Sequence, residues 1–435
     1  LSTHLENEGA SGGNYFVSNY PGYEFWSEDA LGAGPEVLNH PPASENPLGL
    51  YLHIPFCRQR CHFCYYKVYT GQSAKDVQTY VDALISEAKT FAERAVFQAR
   101  KASFLYVGGG TPSYLSVRQF QELMKGVGQA FALDELQEFT FECEPGTASF
   151  EKLKALKDGG VSRVSLGLEH FDDRVLFQNG RAHDQKAIYE AFENVQKAGV
   201  PQVNIDLIAG MVGDNEEGWH DAVTRTLELE PESVTIYQLE FPYNTSFSRT
   251  LRESGTLESS VPDWATKRRW LDEAFSRLEA AGYELGSGYT AVKKGTGASF
   301  LYRDNLWTGA DLLGLGVSSF SQVGGTHFQN EKHMEAYIST IQDGQLAVRR
   351  GYVMSEQEQL IREMVLQLKR GQLNGDYFQH KFGVDIFEDF ARAFMDLEDA
   401  GHGKINDRIF ALKRSAFLQV DRLLPVFFLP QHRSA

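Results

Sequence analysis

Leu50-Tyr51-Leu52-His53-Ile54-Pro55-Phe56-Cys57-Arg58-Gln59-Arg60-Cys61-His62-Phe63-Cys64 is a short apolar run that breaks at a proline and then delivers three cysteines. The run reads as a buried strand, with the cysteines in the loop beyond its C-terminal end. Three thiolates so close together can hold an iron–sulfur cluster but cannot complete a four-thiolate set. A four-iron cluster there would keep one iron open to an external ligand. Zinc is the competing reading, with His53 or His62 added to the cysteines. Structural zinc sites, however, pair two ligands with two more a dozen or more residues away. The fourth cysteine, Cys143, stands alone in Phe139-Thr140-Phe141-Glu142-Cys143. Four cysteines in 435 residues, with no legible signal peptide, argue against disulfides and for a reducing cytoplasm.

Outward from that strand, β-like runs alternate with amphipathic stretches as far as residue 240. The strand candidates are Gly49–Ile54, Ser103–Val107, Phe139–Cys143, Arg163–Leu168, Gln202–Ile208 and Val234–Leu239. The helix candidates are Ala74–Arg94, Val117–Ala132, Phe150–Asp158, Gln185–Ala198 and Glu217–Leu229. This alternation predicts parallel βαβ units and an α/β fold. An incomplete (βα)6 barrel is preferred to a doubly wound sheet, because each strand runs into a polar or glycine-rich segment. The C-terminal rim is where such barrels place their chemistry.

The second rim segment is Gly108-Gly109-Gly110-Thr111-Pro112-Ser113. Three glycines permit positive φ and leave no side chain between backbone and ligand, whereas a plain βα turn needs only one. In the third, alternation puts Glu142 and Glu144 on one face and Cys143 on the other. The fourth carries Glu169-His170, followed by Asn179-Gly180-Arg181. The fifth places Asp206 alone in an apolar run, which is costly unless it is paired or bonded to a ligand. A barrel-closing salt bridge to Arg181 or Arg163 is the competing reading. The sixth, Tyr237-Gln238-Leu239-Glu240, is again polar at alternate positions.

The Cys-x3-Cys-x2-Cys spacing resembles that of radical S-adenosylmethionine (SAM) enzymes. The ordered set of Tyr51-x-His53-Ile54-Pro55-Phe56-Cys57, Gly-Gly-Gly-Thr-Pro-Ser, Phe-Glu-Cys-Glu-Pro-Gly, Ser165–Phe171, Asn204–Gly210 and Leu313–Val317 resembles the oxygen-independent coproporphyrinogen III oxidase-like family. The resemblance runs from Leu50 to Phe320. It implies a 4Fe–4S cluster on Cys57, Cys61 and Cys64, with SAM held by Gly108, Gly109, Gly110, Thr111, Glu142, Arg181 and Asp206. Tyr51 would lie near the cluster in a catalytic role, and a flavodoxin or ferredoxin would supply the electron that cleaves SAM to a 5′-deoxyadenosyl radical.

Departures from the family pattern shape the expected reaction. The oxidase subgroup has a further Cys just beyond the third ligand, where this chain has Tyr65-Tyr66. The heme-chaperone subgroup continues with an acidic residue and Phe, which this chain also lacks. Glu169 replaces a common Gln at a position that in the oxidase helps bind a second SAM. Asn19–Trp26 resembles leaders of methylating or heme-cleaving members, and equally reads as a strap packing aromatics onto the barrel. The expectation is therefore two-SAM methyl or methylene transfer, or related C–C chemistry, on an unsaturated or tetrapyrrole-like substrate. Glu169 would act catalytically beside the second SAM. Coproporphyrinogen III decarboxylation and heme chaperoning without radical turnover are the alternatives.

The organisation expected is a strap over 1–48, the partial barrel over 49–245, an extension packing on it over 246–350, and a winged-helix-like cap over 351–435. Leu1–Ala10 is polar and reads as poorly ordered. The glycine-rich Asp311–Phe320 would pack closely or line the substrate cavity, and the cap would be a lid over the barrel mouth. A net charge of −16 and no clustered Lys and Arg exclude a nucleic-acid surface, and no apolar run reaches membrane-spanning length.

Overall fold

The computed structural model describes residues 16–31, 35–42, 45–242, 244–255, 257 and 260–433. The expectation for Leu1–Ala10 lies outside the described residues. The apolar run that opens the motif is strand β1 (Leu48–Ile54), buried at every position except Tyr51. A strand buried on both faces is what a parallel sheet covered by helices requires. β2 (Ala102–Gly109), β3 (Glu138–Cys143), β4 (Arg163–Glu169), β5 (Gln202–Ala209) and β6 (Ser233–Gln238) follow side by side in chain order, all parallel. All six expected strands are present, and their C-terminal ends share one rim.

The helices between them begin where short polar side chains cap them. Ser73 and Ser116 form capping boxes with Asp76 and Gln119, and Ser149, Asp184 and Asn215 each accept from a backbone N–H in the first turn. Gln185–Ala198 stops at Gly199, whose φ of +70° favours glycine. A further helix, Asp173–Gln178, was not expected; its cap is Asp172, and it carries the chain from β4 to Arg181.

The segment from 246 to 350 packs on the six-strand unit, burying Trp270, Leu271 and Phe275 in its core, and it also lengthens the sheet at both edges. β7 (Tyr283–Ser287) and β8 (Thr290–Lys293) form a hairpin antiparallel to β6. β9 (Asp311–Leu315) pairs in parallel with β1, Leu50 opposite Leu313, and β10 (Phe320–Val323), β11 (Thr326–Asn330) and β12 (Val348–Val353) continue antiparallel. The result is a 12-stranded sheet ending in β12 and β7. Of the two roles left open for Asp311–Phe320, close packing is the one observed. A Cβ at Gly314 would overlap the Phe320 carbonyl oxygen, so the backbone of β10 can approach β9 this closely only because residue 314 is glycine.

Glu87 pins this added edge to the six-strand core. It is fully buried on the helix Ala74–Ala92 and accepts from Gly316 N–H, Asn330 Nδ2 and Tyr337 Oη at 2.7, 2.5 and 2.7 Å. Beyond β12, Glu356–Leu368, Gly375–Phe382 and Ala391–Asp399 pack with a small sheet of β13 (Gln372–Asn374), β14 (Gly403–Asn406) and β15 (Ile409–Leu412). This module has its own core, into which the strap inserts Tyr20. No helix among the described residues is long and apolar enough to cross a membrane.

Candidate active site

A cavity of about 620 Å3 opens at the C-terminal ends of the six parallel strands. Its wall includes Cys57, Cys61 and Cys64, the loop Gly109–Thr111, and the ends of β3 to β6. Proline and phenylalanine stop β1, and Cys57 N–H then donates to Tyr69 O at 3.1 Å, which curls the cysteine loop back on itself. The sulfurs are not left bare. Thr111 Oγ1 donates to Cys57 Sγ at 3.4 Å, and Arg181 donates to Cys61 Sγ at 3.2 Å and to the Gly167 carbonyl at 2.7 Å. Burial pushes the Cys57 thiol up to about 12 and the Cys64 thiol up to about 11, so a bound cation is needed to hold them as thiolates.

The spacing of the sulfurs decides which metal group they fit. Thiolates on one zinc ion sit about 3.8 Å apart. Among the described residues no set of three ligating atoms that includes these sulfurs falls within 4.8 Å of one another. The set that does, Glu216, His220 and Glu273, lies at the surface, and Arg269 bonds both carboxylates. As the loop stands, the three sulfurs do not close on a single ion.

The three glycines answer to three different crowding partners. A Cβ at Gly108 would stand 2.7 Å from the Tyr106 ring and 3.0 Å from Glu142. At Gly109, φ is +120° and a Cβ would be 2.6 Å from the His53 imidazole; at Gly110 it would be 3.0 Å from Cys57 Sγ. The loop is thus wedged between β1 and β3, with Gly109 N–H aimed at Glu142 Oε2 at 3.0 Å. Glu142 also accepts from Tyr106 Oη at 2.6 Å, and burial raises it to about 7.

Asp206 lines the same cavity, and the expected salt bridge is not what holds it there. Ser165 Oγ donates to it at 2.7 Å and Asn204 Nδ2 at 2.9 Å, and neither Arg163 nor Arg181 bonds it. Burial raises its carboxyl pKa, with the Arg163 charge a lesser, opposing influence. Glu169 sits at a β-bulge against β5 with φ of +66°, a conformation costly for a residue with a Cβ. The bulge turns its carboxylate into the cavity, 3.6 Å from Arg181, and burial raises it to about 7.

Not every expected residue reaches the cavity. Tyr51 and Gly108 are absent from the wall; Tyr51 lies behind Tyr106, ring centroids 5.9 Å apart, with its hydroxyl 3.2 Å from His53 Nδ1. The C-terminal module, read as a lid, contributes none of the described lining and acts only through the strap, whose Phe16 and Ser18 do. The reason is topological: β13 to β15 pair with one another in a separate sheet. Tyr106 and Ser165 escaped the sequence reading. Their signal was alternation, since each stands two residues before a rim glycine on its strand.

The radical SAM superfamily matches residues 51–225. The heme chaperone HemW of Bacillus subtilis is 29% identical over 357 residues, covering 81% of this chain and 91% of that protein. The oxygen-independent coproporphyrinogen III oxidase of Escherichia coli is 29% identical over 336 residues, covering 74% and 72%. The solved structure of the Escherichia coli coproporphyrinogen III oxidase superposes with a TM-score of 0.82 at 23% identity, over 95% of this chain and 96% of that one, which establishes the shared fold.

Proposed function

Because this chain carries a radical SAM domain and is homologous to HemW and the oxygen-independent coproporphyrinogen III oxidases, we propose that it is a two-SAM enzyme transferring a methyl or methylene carbon to a planar, unsaturated, tetrapyrrole-like substrate. The 4Fe–4S cluster and SAM of this superfamily supply a 5′-deoxyadenosyl radical, and the transferred carbon would come from a second SAM. Cys57, Cys61 and Cys64 would hold the cluster. Arg181 steadies the Cys61 sulfur, and Glu142 and Asp206, each fixed by two hydrogen bonds, would face the first SAM. Glu169 would face the second.

The observation that carries this reading is the charge of the cavity wall. Glu142, Glu144, Glu169, Asp206 and Glu240 line it against Arg58, Arg60 and Arg181, and each arginine is already bonded to backbone carbonyls. Burial raises Glu142, Glu169 and Glu240 to about 7, and the sulfonium and ammonium of an arriving SAM would draw such carboxyls into their charged form, whereas the four carboxylates of coproporphyrinogen III would not. Tyr65, Tyr66, Tyr106 and Tyr237 would supply flat faces for a planar substrate. SAM deuterated on its methyl group tests the reading. Deuterium should enter 5′-deoxyadenosine and labelled carbon should enter the product. Unlabelled 5′-deoxyadenosine with CO2 released from substrate would establish decarboxylation instead.

The likeness to HemW favours a second reading, heme binding and delivery. No histidine stands among the described cavity-lining residues, so tyrosine or cysteine would have to ligate heme iron there. Heme titration monitored by absorbance, beside a 5′-deoxyadenosine assay, separates the two.

A further inference from the structure

The end of β6 places Gln238 and Glu240 in the cavity wall, and the reaction above employs neither. Gln238 is buried, 8% exposed, and its buried carboxamide oxygen has no hydrogen-bond partner among the described residues. An amide oxygen left unpaired in the interior is costly, so its place on a cavity wall points to a ligand that completes it. Glu240 accepts one hydrogen bond, from Phe16 N–H at 3.2 Å, and has no ion-pair partner among the described residues. The two lysines nearest it electrostatically are committed elsewhere. Lys267 donates to Leu239 O and lies over the Trp264 ring, and Lys369 is locked to Asp421 and Val17 O. Burial pushes Glu240 up to about 7, outweighing the two lysines.

Gln238, with an unpaired carboxamide oxygen, and Glu240, with a single backbone donor, share the cavity wall with Tyr237 and Phe16 and give an aromatic slot a polar edge. We infer that Gln238 and Glu240 form a recognition subsite for a protonated or N–H-bearing nitrogen at the edge of the planar substrate, with Phe16 of the strap positioning Glu240. The inference rests on the proposed reading that the cavity takes a planar substrate, and it narrows the class. The favoured substrate carries basic nitrogen where coproporphyrinogen carries carboxylates.

Two porphyrin probes of one ring system test it on the cluster-loaded protein. Protoporphyrin IX presents two propionates; its bis-amide with dimethylaminoethylamine presents two cations on the same ring. Affinities read by fluorescence quenching should favour the dication at least tenfold in the wild type. In Glu240→Gln that ratio should fall by roughly tenfold, the worth of one charge-assisted contact. Gln238→Leu should weaken the dication more than the diacid. Equal or tighter binding of the diacid overturns the inference whether or not the variants fold. A preference that survives Glu240→Gln unchanged overturns it too, because it then reflects the chain's net charge of −16. Failure of deuterium transfer with the charge preference intact would sink the reaction assigned above and not this subsite.

Discussion

Asp206 brings a carboxylate into an apolar strand, and a hydroxyl and a carboxamide, not a guanidinium, hold it there. A structural ion pair would have used a cation; this arrangement leaves the negative charge to meet one that arrives. Asp206→Asn should therefore weaken SAM binding about 10- to 100-fold, the loss of one hydrogen bond to a charged group, while iron content stays at the wild-type level. Equilibrium SAM binding and iron analysis check both halves. Glu169 makes a different case. Its φ of +66° costs about 1–2 kcal/mol for a residue with a Cβ. Glu169→Gly relieves that strain but removes the carboxylate 3.6 Å from Arg181 and adds the entropy glycine loses on folding, so unfolding free energy should not rise and should fall by about 1–3 kcal/mol. SAM-dependent turnover should fall in the same variant. Denaturation and 5′-deoxyadenosine release, measured side by side, check both outcomes.

Elements were legible where local chemistry decided them. The helices starting after Ser73, Ser116, Ser149 and Asp184 carry their caps in the sequence, and β1 to β6 announce themselves as apolar runs ending in unusual polar residues. The site followed from the same source, because a parallel sheet gathers all six strand ends on one rim. What was not legible depended on distant partners. Nothing local in Asp311–Leu315 says that it will pair with β1, and nothing in the C-terminal helices says that they will build a separate core. Glu87 is the clearest such case, an acidic residue on a helix that ties β9 and β11 to the barrel. Burial raises it from 4.5 to about 7. The folded state then holds a proton that the unfolded chain gives up near 4.5, so this contribution is full below 4.5 and is lost as pH rises through 7. The span is on the order of 3 kcal/mol at about 1.36 kcal/mol per unit. Thermal midpoints should fall between pH 5 and 8, and Glu87→Gln should flatten that slope.

At the scale of the whole molecule, the strap couples the C-terminal module to a cavity the module does not touch. Lys369 and Asp421 pair at 2.8 Å, both fully buried, and between them bind the backbone of Val17, next to the cavity-lining Phe16. Breaking such a pair leaves a buried charge alone. Lys369→Met should cost about 3–5 kcal/mol in urea denaturation, and adding Asp421→Leu should return most of it. Everything proposed for the cavity depends on three cysteines at a strand end holding a cluster that cleaves SAM. The most direct measurement combines anaerobically reconstituted protein, dithionite and SAM, with 5′-deoxyadenosine quantified against bound iron. The account predicts about four irons per chain, broad visible absorption and 5′-deoxyadenosine release, all lost in the Cys57/Cys61/Cys64→Ala triple variant. Stoichiometric zinc without iron, or a full cluster that transfers heme and yields no 5′-deoxyadenosine, would contradict it.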